Sequence, residues 1–287
     1  MAKRIQIDKI KQELIGEILL KRELLSRRNI TPRMAIVGAL ATPAIQHYAK
    51  AKEKVAKEFD IKLDIIDLAN NVSDSSLIKI LNELKNDEKI HGIFTELPFP
   101  SHINTEKVLS TIPFEKDVEG IGVFNLGMLF ANSRQFVVRP TTAYACINLI
   151  ESITEVKGKT VVIIGVGRVV GRPLLALLLN LGATVICCDK FSSNVDMLAK
   201  DANIIVSAAG CVNDVMQDET IVANKIVIDV GMGVDNNGEI VGDFSEEIRE
   251  AASYYATGRN EVGKLTTHIL FLNLLKLIEK NCIDAKK

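Results

Sequence analysis

The residues with the clearest chemical potential are three glycines and an aspartate between positions 160 and 189. An apolar run at 160–164 leads into Gly165, Gly167 and Gly171, a helical pattern follows, and a second apolar run ends on Asp189. This order predicts a strand, a tight turn, a helix and a second strand. Glycines in such a turn let the backbone approach a pyrophosphate at a helix N-terminus, and a carboxylate at the second strand end can bind a ribose. The pattern therefore indicates a dinucleotide site.

The spacing of these residues is close to the usual fingerprint but not identical to it. The turn reads GxGxxxG, so its third glycine comes one residue late, whereas Asp189 follows Gly167 by 22 residues, near the roughly 20 expected. The alternative is a structural turn of an α/β sheet that binds no ligand. We adopt the cofactor interpretation and include Arg168 and Val169 of the turn among the candidate binding residues.

The charge of Asp189 bears on the choice between NAD and NADP. A carboxylate accepts hydrogen bonds from the ribose diol of NAD but repels the 2′-phosphate of NADP. Arg168 and Lys190 are near in sequence and could still bind that phosphate. We therefore predict NAD or NADP as the cofactor, with NAD favoured.

The composition is ordinary for a globular protein. Of 287 residues, 47% are hydrophobic and 25% charged, and 35 basic residues nearly balance 36 acidic ones. Bulk charge therefore gives no reason to expect a nucleic-acid or membrane partner. The opening residues lack a signal-peptide pattern and no apolar run reaches about 18 residues, so we expect a cytoplasmic protein. The five cysteines form no CxxC pair, so we predict neither disulfides nor a metal site.

Apolar residues recur at helical and strand spacing along both halves of the chain. In the first half the pattern predicts helices at 8–28, 43–59 and 75–84 and strands at 33–38, 63–68 and 92–97. In the second half it predicts strands at 160–164, 183–188, 204–208 and 226–230 and helices at 144–153, 171–181 and 195–198. Strands that alternate with helices in this way pair in parallel through βαβ units.

The remaining segments complete the predicted fold class, which is a two-domain α/β protein. The stretch 98–140 is rich in Pro, Gly and Asn, so we expect loops there. A strongly apolar helix is predicted at 265–280, and we expect it to pack back on the first domain. The predicted domains are an N-terminal α/β domain of residues 1–143 and 264–287 and a Rossmann-type nucleotide-binding domain of residues 144–263.

Several segments outside the glycine turn resemble one enzyme family. They are Tyr48 and Lys52 four residues apart, Glu-Leu-Pro-Phe-Pro at 96–100, Lys-Asp-Val-Glu-Gly at 116–120, Gly-Arg-Pro at 171–173, Val-Ser-Ala-Ala-Gly at 206–210, Val-Ile-Asp-Val-Gly at 227–231 and Asn-Gly-Glu-Ile-Val-Gly-Asp-Phe at 237–244. In their order and spacing, the chain resembles the methylenetetrahydrofolate dehydrogenase/cyclohydrolase family from about residue 5 to residue 280.

The resemblance implies a subunit, usually in a homodimer, with a folate cleft between a catalytic domain and a Rossmann domain. It implies hydride transfer from 5,10-methylenetetrahydrofolate to a nicotinamide cofactor, often followed by hydrolysis of the methenyl product. In the family a tyrosine packs on the pterin side and a lysine handles the proton chemistry, roles that would fall on Tyr48 and Lys52. It also adds Ala208, Gly210 and Gly231 to the candidate cofactor-binding residues.

The chain departs from the family pattern mainly at the folate site. Glu96 replaces a glutamine, Glu119 replaces an aspartate, and a proline-rich loop is replaced at 257–266 by a segment that contains Arg259 and Glu261. We count Glu96 and Glu119 as catalytic candidates, because carboxylates that face the cleft would favour the cation left by hydride removal. The alternative for Glu96 is a strand-end carboxylate paired with a surface lysine.

Glu96 also alters the expected balance between the two reactions. Hydrolysis suits a lysine with a lowered pKa, since a proton must be moved, whereas a carboxylate within about 4 to 6 Å stabilises the ammonium form. Glu96 would therefore keep Lys52 charged, and we expect a dehydrogenase whose cyclohydrolase activity is weak or absent. Two alternatives stay open: a dehydrogenase of this fold with another pterin or small substrate, and a folate- or nucleotide-binding paralogue without turnover.

Overall fold

The computed structural model describes residues 2–39, 43–134, 138–235 and 238–283, without the side chains of 43–48 and 283. The chain forms two compact units. The six-stranded unit comprises Met1–Gln12, Leu129–Asn132 and Pro140–Thr266, and the three-stranded unit comprises Glu13–Met128, Ser133–Arg139 and Thr267–Lys287, as far as these residues are described.

The elements alternate along the chain as the apolar pattern predicts. The strands are β1 (Lys3–Arg4), β2 (Arg33–Gly38), β3 (Lys62–Asp67), β4 (Gly92–Thr95), β5 (Thr160–Ile164), β6 (Thr184–Cys188), β7 (Ile204–Ser207), β8 (Ile226–Asp229), β9 (Gly233–Val234), β10 (Ile240–Val241) and β11 (Tyr254–Thr257). The α-helices are α1 (Asp8–Ser26), α2 (Pro43–Glu58), α3 (Asp74–Asn86), α4 (Thr105–Leu109), α5 (Val123–Phe130), α6 (Thr141–Glu151), α7 (Gly171–Asn180), α8 (Val195–Ala199), α9 (Glu246–Ala251) and α10 (Gly263–Ile278). A 3₁₀ turn at Glu219–Val222 and π-helical turns at Gly258–Val262 and Glu279–Ile283 complete the set.

The three-stranded unit is built on a parallel sheet in the order β3-β2-β4. Ile36 at its centre pairs with Ile65 on one side and with Phe94 on the other. The central strand is buried almost throughout, because βαβ connections cover both faces of a parallel sheet. The carboxyl ends of β2 and β4 therefore reach the same edge of the sheet, where Glu96 follows β4.

The six-stranded unit contains a second sheet, in the order β1-β11-β8-β7-β5-β6, and every neighbouring pair is parallel. The chain passes from β5 to β6 on one side and then returns to β7 on the other side of β5. Ligands of open α/β sheets bind at the carboxyl ends of strands where the order reverses in this way. The glycine turn follows β5, so it lies at that point of the fold.

The predicted two-domain α/β fold class is confirmed, including the C-terminal helix that packs back on the first domain. In the three-stranded unit, Asn273 of α10 donates hydrogen bonds to the backbone oxygens of Val118 and Arg139 over 2.9 and 2.8 Å. Lys276 forms an ion pair with Glu17 of α1 at 3.0 Å. None of the helices in the described ranges is long and apolar enough to cross a membrane.

Two of the predictions about individual elements are wrong or incomplete. The stretch 98–140 contains helices α4 and α5 in addition to loops, so the prediction of irregular structure there fails for 105–109 and 123–130. The short strands β1 and β9 to β11 and helix α9 were not predicted. Strand β1 exists because Lys3 and Arg4 pair with Tyr254 and Tyr255, a contact between distant parts of the chain that local periodicity does not reveal.

Candidate active site

Lys52 and Glu96 form a buried ion pair in the three-stranded unit. Lys52 lies on α2, Glu96 follows β4, and the Lys52 Nζ–Glu96 Oε2 distance is 2.8 Å. Both residues are less than a tenth exposed, and the ammonium also lies 4.7 Å from the centre of the Phe94 ring. The pair is held by a charge-assisted hydrogen bond, and the two opposite charges compensate each other inside the unit. The partner of Glu96 is thus a buried lysine and not a surface one.

The sequence around this pair leaves space for it. Gly38 ends β2 beside β4, and a Cβ at that position would lie 2.6 Å from the Cβ of Glu96. The Glu96 backbone N–H donates to the oxygen of Val37 over 2.9 Å, which extends the ladder by one bond past β4. A glycine at position 38 therefore allows Glu96 to turn toward α2.

Glu119 is held by a turn that is organised around Asp117. The Asp117 carboxylate is buried and accepts hydrogen bonds from the backbone of Gly120 and Gly122, at 2.9 and 2.8 Å, and from the amide of Asn125 at 2.8 Å. The segment runs beside β4, where the N–H of Ile93 donates to the oxygen of Lys116 over 2.7 Å. Residues 117–122 thus form a fixed turn that places the Glu119 side chain.

The Glu119 carboxyl is protonated near neutral pH. Burial raises its pKa to about 8, the charges of Asp117 and Glu96 add to this rise, and Lys52 opposes it. Its Oε2 is buried and makes no hydrogen bond within the described part of the chain. A cavity of about 10 Å³, enough for one water molecule, is lined in part by Thr95, Asp117 and Glu119. Glu119 stays a catalytic candidate, and its raised pKa favours the protonated form of its carboxyl.

Tyr48 and the replaced loop at 257–266 are the other features that the sequence assigns to the folate site. Tyr48 lies on α2, but its side chain falls outside the described residues. In the replaced loop, Glu261 is buried, accepts from the N–H of Thr257 over 2.8 Å, and pairs with Arg4 at 2.7 Å. Glu261 thus pairs with Arg4 of β1, and Arg259 is exposed.

In the six-stranded unit, the glycines at 165 and 171 are required by close packing. Gly165 has a φ of +94°, and a Cβ there would lie 2.6 Å from the backbone of Ala208. A Cβ at Gly171 would lie 2.1 Å from the oxygen of Gly165, so only glycine lets α7 begin against the turn. A Cβ at Gly167 would meet no atom within 4 Å, so packing does not explain this glycine. Close approach of a ligand to the backbone would explain it.

The start of α7 suits an anion. In the first turn of α7 the Arg172 N–H donates to the Gly167 oxygen over 3.0 Å and Pro173 has no N–H, so the Gly171 N–H and the positive end of the helix dipole can face a phosphate. Arg168 and Val169 lie in the turn before it and are partly exposed. The residues of this turn therefore fit the pyrophosphate of a dinucleotide.

Asp189 follows β6 and is exposed. Its Oδ1 accepts from the backbone N–H of Phe191 over 2.9 Å, and its own N–H donates to Ser192 Oγ over 2.9 Å. These two bonds fix the residue at the strand end while the carboxylate stays accessible to solvent. The arrangement fits a carboxylate that receives a ribose diol.

Two buried carboxylates lie at the carboxyl ends of β7 and β8. They were not among the residues predicted from the sequence. Asp243 accepts from Ser207, Ala209 and Cys211, and Asp229 accepts from the backbone of Asp243. Burial raises the pKa of Asp229 to about 6. The sequence signal for Asp243 was the Gly-Asp-Phe of 242–244, which lies in a segment that resembles the family. An aspartate outside the predicted strands is, however, usually interpreted as a solvated loop residue.

The structure thus groups the candidates within each unit. Lys52, Glu96 and Glu119 lie together in the three-stranded unit, whereas Gly165, Gly171 and Ala208 meet in the six-stranded unit. Gly210 has a φ of +71° and no atom within 4 Å of a Cβ position. A Cβ at Gly231 would lie 2.0 Å from the Asp243 carboxylate, so this glycine serves packing.

Comparison with known proteins assigns both units. Residues 3–119 match the catalytic domain, and residues 140–282 the NAD(P)-binding domain, of tetrahydrofolate dehydrogenase/cyclohydrolase. The bifunctional protein FolD of Listeria innocua is 35% identical over 282 residues, which covers 98% of each chain. That of Cupriavidus pinatubonensis is 34% identical over 281 residues, 97% of this chain and 98% of the relative.

Solved structures agree with this assignment. The bifunctional FolD of Campylobacter jejuni superposes with a TM-score of 0.89 at 31% identity and covers 98% of this chain and 99% of its own. The Trypanosoma brucei FolD, solved with NADP and an inhibitor, gives a TM-score of 0.88 at 28% identity, with coverages of 98% and 99%. The matches span both units and relatives exceed 30% identity over nearly the full length. The chain therefore belongs to the tetrahydrofolate dehydrogenase/cyclohydrolase family.

Proposed function

We propose that this protein oxidises 5,10-methylenetetrahydrofolate to 5,10-methenyltetrahydrofolate with NAD or NADP, and that its cyclohydrolase activity is weak. The observation that carries the proposal is the match of both domains together with a lysine, Lys52, buried at the position that the family resemblance marks as catalytic. The relatives from Listeria innocua and Campylobacter jejuni are both named as bifunctional.

The six-stranded unit holds the cofactor in this proposal. The turn of Gly165, Gly167 and Gly171 receives the pyrophosphate, with Arg168 and Val169 beside it, because the positive end of the α7 dipole lies there and Gly167 leaves room for close approach. Asp189 receives the adenosine ribose, and Ala208, Gly210 and Gly231 line the neighbouring strand ends. When bound, the nicotinamide accepts the hydride. The unit's own contribution is to place that ring and to exclude water.

The three-stranded unit holds the folate. Removal of hydride leaves an amidinium-like cation, which a negative charge would stabilise. Glu96 can supply that charge, although Lys52 already offsets most of it at 2.8 Å. Glu119, protonated near neutral pH, has an O–H to donate to the folate ring. Tyr48 is proposed to pack on the pterin, as the resemblance implies.

The same ion pair accounts for weak hydrolysis. A lysine that takes a proton from attacking water must first be neutral. Glu96 engages the Lys52 amine in an ion pair, because the two groups are within hydrogen-bond distance and both are buried. Water attack on the methenyl product therefore lacks an efficient proton acceptor here.

The finer points of the proposal are the cofactor preference, the assembly and the location. NAD is favoured because Asp189 would repel the 2′-phosphate of NADP. The family resemblance supports a homodimer. We propose a cytoplasmic location, and the near-balanced charge of the chain gives no reason to expect a nucleic-acid or membrane partner.

Reduction of the cofactor tests the function directly. Purified protein is mixed with methylenetetrahydrofolate and either NAD or NADP, and the absorbance of reduced nicotinamide is followed. Growth of the absorbance with either cofactor is the expected result. No growth, together with cofactor binding by calorimetry, would reject the proposed substrate.

A dehydrogenase of this fold with a different pterin or small substrate is the second candidate. It is favoured by the loop at 257–266, where Glu261 is engaged by Arg4 and Thr257 and the family's prolines are absent. A binding paralogue without turnover is less well supported, because the chain retains both Lys52 and the full glycine turn. Cofactor reduction with another reduced pterin, but not with methylenetetrahydrofolate, would favour the second candidate.

A further inference from the structure

The loop that follows β7 lies against the glycine turn, and a buried carboxylate holds its backbone. Residues 208–211 leave the sheet at the point where its strand order reverses, and the backbone of Ala208 comes within 2.6 Å of a Cβ position at Gly165. Gly210 in this loop has a positive φ of +71°. The loop therefore needs another group to hold its backbone in one conformation.

Asp243 provides that group. It is completely buried, and its Oδ2 accepts from the N–H of Ala209 over 2.8 Å and from Ser207 Oγ over 2.5 Å. Its Oδ1 accepts from the N–H of Cys211 over 2.8 Å. One carboxylate thus binds two N–H groups of the loop and the last side chain of β7. Such charge-assisted bonds are stronger and shorter than bonds between neutral groups.

A second carboxylate holds Asp243 in place. Asp229, the last residue of β8, accepts from the N–H of Asp243 over 2.9 Å and from that of Phe244 over 3.3 Å. Arg249 of α9 donates to Asp229 over 3.3 Å, which partly offsets the buried charge. The Phe244 side chain is fully buried in the core of the six-stranded unit. We call Asp243, Asp229 and Ser207 together the clamp. The clamp is anchored to β8, α9 and the core of the six-stranded unit.

Two glycines exist to make room for the clamp. A Cβ at Gly231 would lie 2.0 Å from the Asp243 carboxylate, and a Cβ at Gly242 would lie 2.0 Å from that of Asp229. Gly231 after β8 and Gly242 before Asp243 thus leave the space that the two buried carboxylates occupy. A buried carboxylate is costly unless its bonds are complete, so its placement under this loop calls for an explanation.

We propose that Asp243 is a positioning residue for the nicotinamide cofactor, which fixes the backbone of residues 208–211 in the form that meets the bound cofactor. The inference rests on the proposed cofactor site at Ala208 and Gly210. A loop held in its binding form loses less conformational freedom on binding, so affinity falls when the clamp is removed. Asp243 itself touches the loop and not the cofactor.

The test is the affinity of the full chain for NAD and NADP, measured by calorimetry. Asp243→Asn keeps the shape of the side chain but replaces one acceptor by an amide that faces backbone N–H groups. We expect the dissociation constants for both cofactors to rise about tenfold. The KM for methylenetetrahydrofolate, measured at saturating cofactor, should change by less than about twofold if the effect is confined to the loop.

A core variant of the same unit separates positioning from loss of stability. Val222→Ala removes buried volume from that core but removes none of the hydrogen-bond donors and acceptors of the clamp, and it is expected to lower the melting temperature. Its cofactor affinity should match the wild type within about twofold, even where its melting temperature falls as far as that of Asp243→Asn. An equal loss of affinity in Val222→Ala would overturn the proposal.

A milder variant covers the case in which Asp243→Asn does not fold. Ser207→Ala removes only the hydroxyl that donates to Asp243, and we expect the cofactor dissociation constants to rise about threefold. Unchanged affinity in whichever clamp variant folds would overturn the inference but leave the proposed function intact. A wild-type chain that binds neither cofactor would instead reject the proposed function itself.

Discussion

At the scale of single residues, the pairing of Lys52 with Glu96 sets the chemistry that this site can do. Both side chains are buried and 2.8 Å apart, in a position where the family resemblance implies a neutral glutamine opposite the lysine. A carboxylate at this distance engages the Lys52 amine in an ion pair, whereas an amide would offer only a neutral hydrogen bond. One substitution thus bears on whether the methenyl product is hydrolysed or released.

Glu96→Gln replaces the charged partner by a neutral amide. We expect it to raise the rate of methenyl hydrolysis about tenfold, because the Lys52 amine is then no longer engaged in an ion pair with Glu96. Hydride transfer should change by less than about threefold, since it needs no proton acceptor. The two rates are measured separately, from methenyl consumption and from nicotinamide reduction. Glu58→Gln, at the exposed end of α2, serves as the control. Unchanged hydrolysis in Glu96→Gln would refute this role for the ion pair.

The carboxylate of Asp189 is expected to decide the cofactor. Asp189→Asn removes a charge that would lie near the 2′-phosphate of NADP, so kcat/KM with NADP should rise about tenfold relative to NAD. Steady-state kinetics with both cofactors measure this ratio. Asp201→Asn, an exposed acid of the same unit, should leave the ratio unchanged. A wild-type enzyme that already prefers NADP would contradict the prediction.

The protonated state of Glu119 has a consequence for stability. Its pKa is raised from 4.5 in the unfolded chain to about 8 in the folded one. Between these values the folded protein keeps a proton that the unfolded chain has released. The contribution of protonated Glu119 to the free energy of unfolding is therefore complete below pH 4.5 and is lost as the pH rises to about 8.

Glu119→Gln removes this loss, because the amide is neutral at every pH. The variant should gain in free energy of unfolding over the wild type as the pH rises from 5 to 8, by on the order of 1 kcal/mol per pH unit. Urea unfolding at several pH values measures the difference. A constant difference across that range would mean that Glu119 is ionised in the folded protein at neutral pH.

At the scale of elements, β4, the turn at 117–122 and α10 meet around Gly92. A Cβ there would lie 2.3 Å from Val118 Cγ1 and 2.7 Å from Leu274 Cδ1. We expect Gly92→Ala to lower the free energy of unfolding by about 1 to 3 kcal/mol, because a packed core resists added volume. Urea unfolding measures this change.

Gly16→Ala provides a matched comparison with the same chemical change. Gly16 lies in α1, and a Cβ there would meet no atom within 4 Å. We expect this variant to have a free energy of unfolding higher by about 0.5 to 1 kcal/mol, because alanine is the better helix former. If both alanine variants were equally stable, the close packing described around Gly92 would be wrong.

The elements also show how far the sequence predicts the fold. The buried strands β7 and β8 and the long helices follow from apolar runs and periodicity, because their environment repeats along the chain. Strands β1 and β11 do not, since their pairing joins Lys3 to Tyr254. Helix α5 was missed because its segment carries the glycine and asparagine of a loop.

The candidate site follows the same division. The places of the glycine turn after β5 and of Asp189 after β6 were predictable, because their spacing is local and reflects one strand, turn and helix. The Lys52–Glu96 contact joins residues 44 positions apart, and Asp243 reaches Ser207 across 36 positions. A buried carboxylate has no sequence signal of its own, since its burial depends on partners supplied by other strands.

At the scale of the whole molecule, the two units divide the residues that the proposed reaction needs. The three-stranded unit carries Lys52, Glu96 and Glu119, and the six-stranded unit carries the glycine turn and Asp189. The family match spans residues 3–119 and 140–282, so both units belong to one enzyme. The proposed activity is therefore a property of the complete chain.

A single reaction of the complete chain tests the central claim most directly. Methylenetetrahydrofolate and NAD are added to the purified protein, and reduced nicotinamide and the methenyl product are followed together. We expect reduced nicotinamide to form and the methenyl product to accumulate, because hydrolysis lags behind hydride transfer. Methenyl product hydrolysed as fast as it forms, or no reduced nicotinamide with either NAD or NADP, would contradict this account.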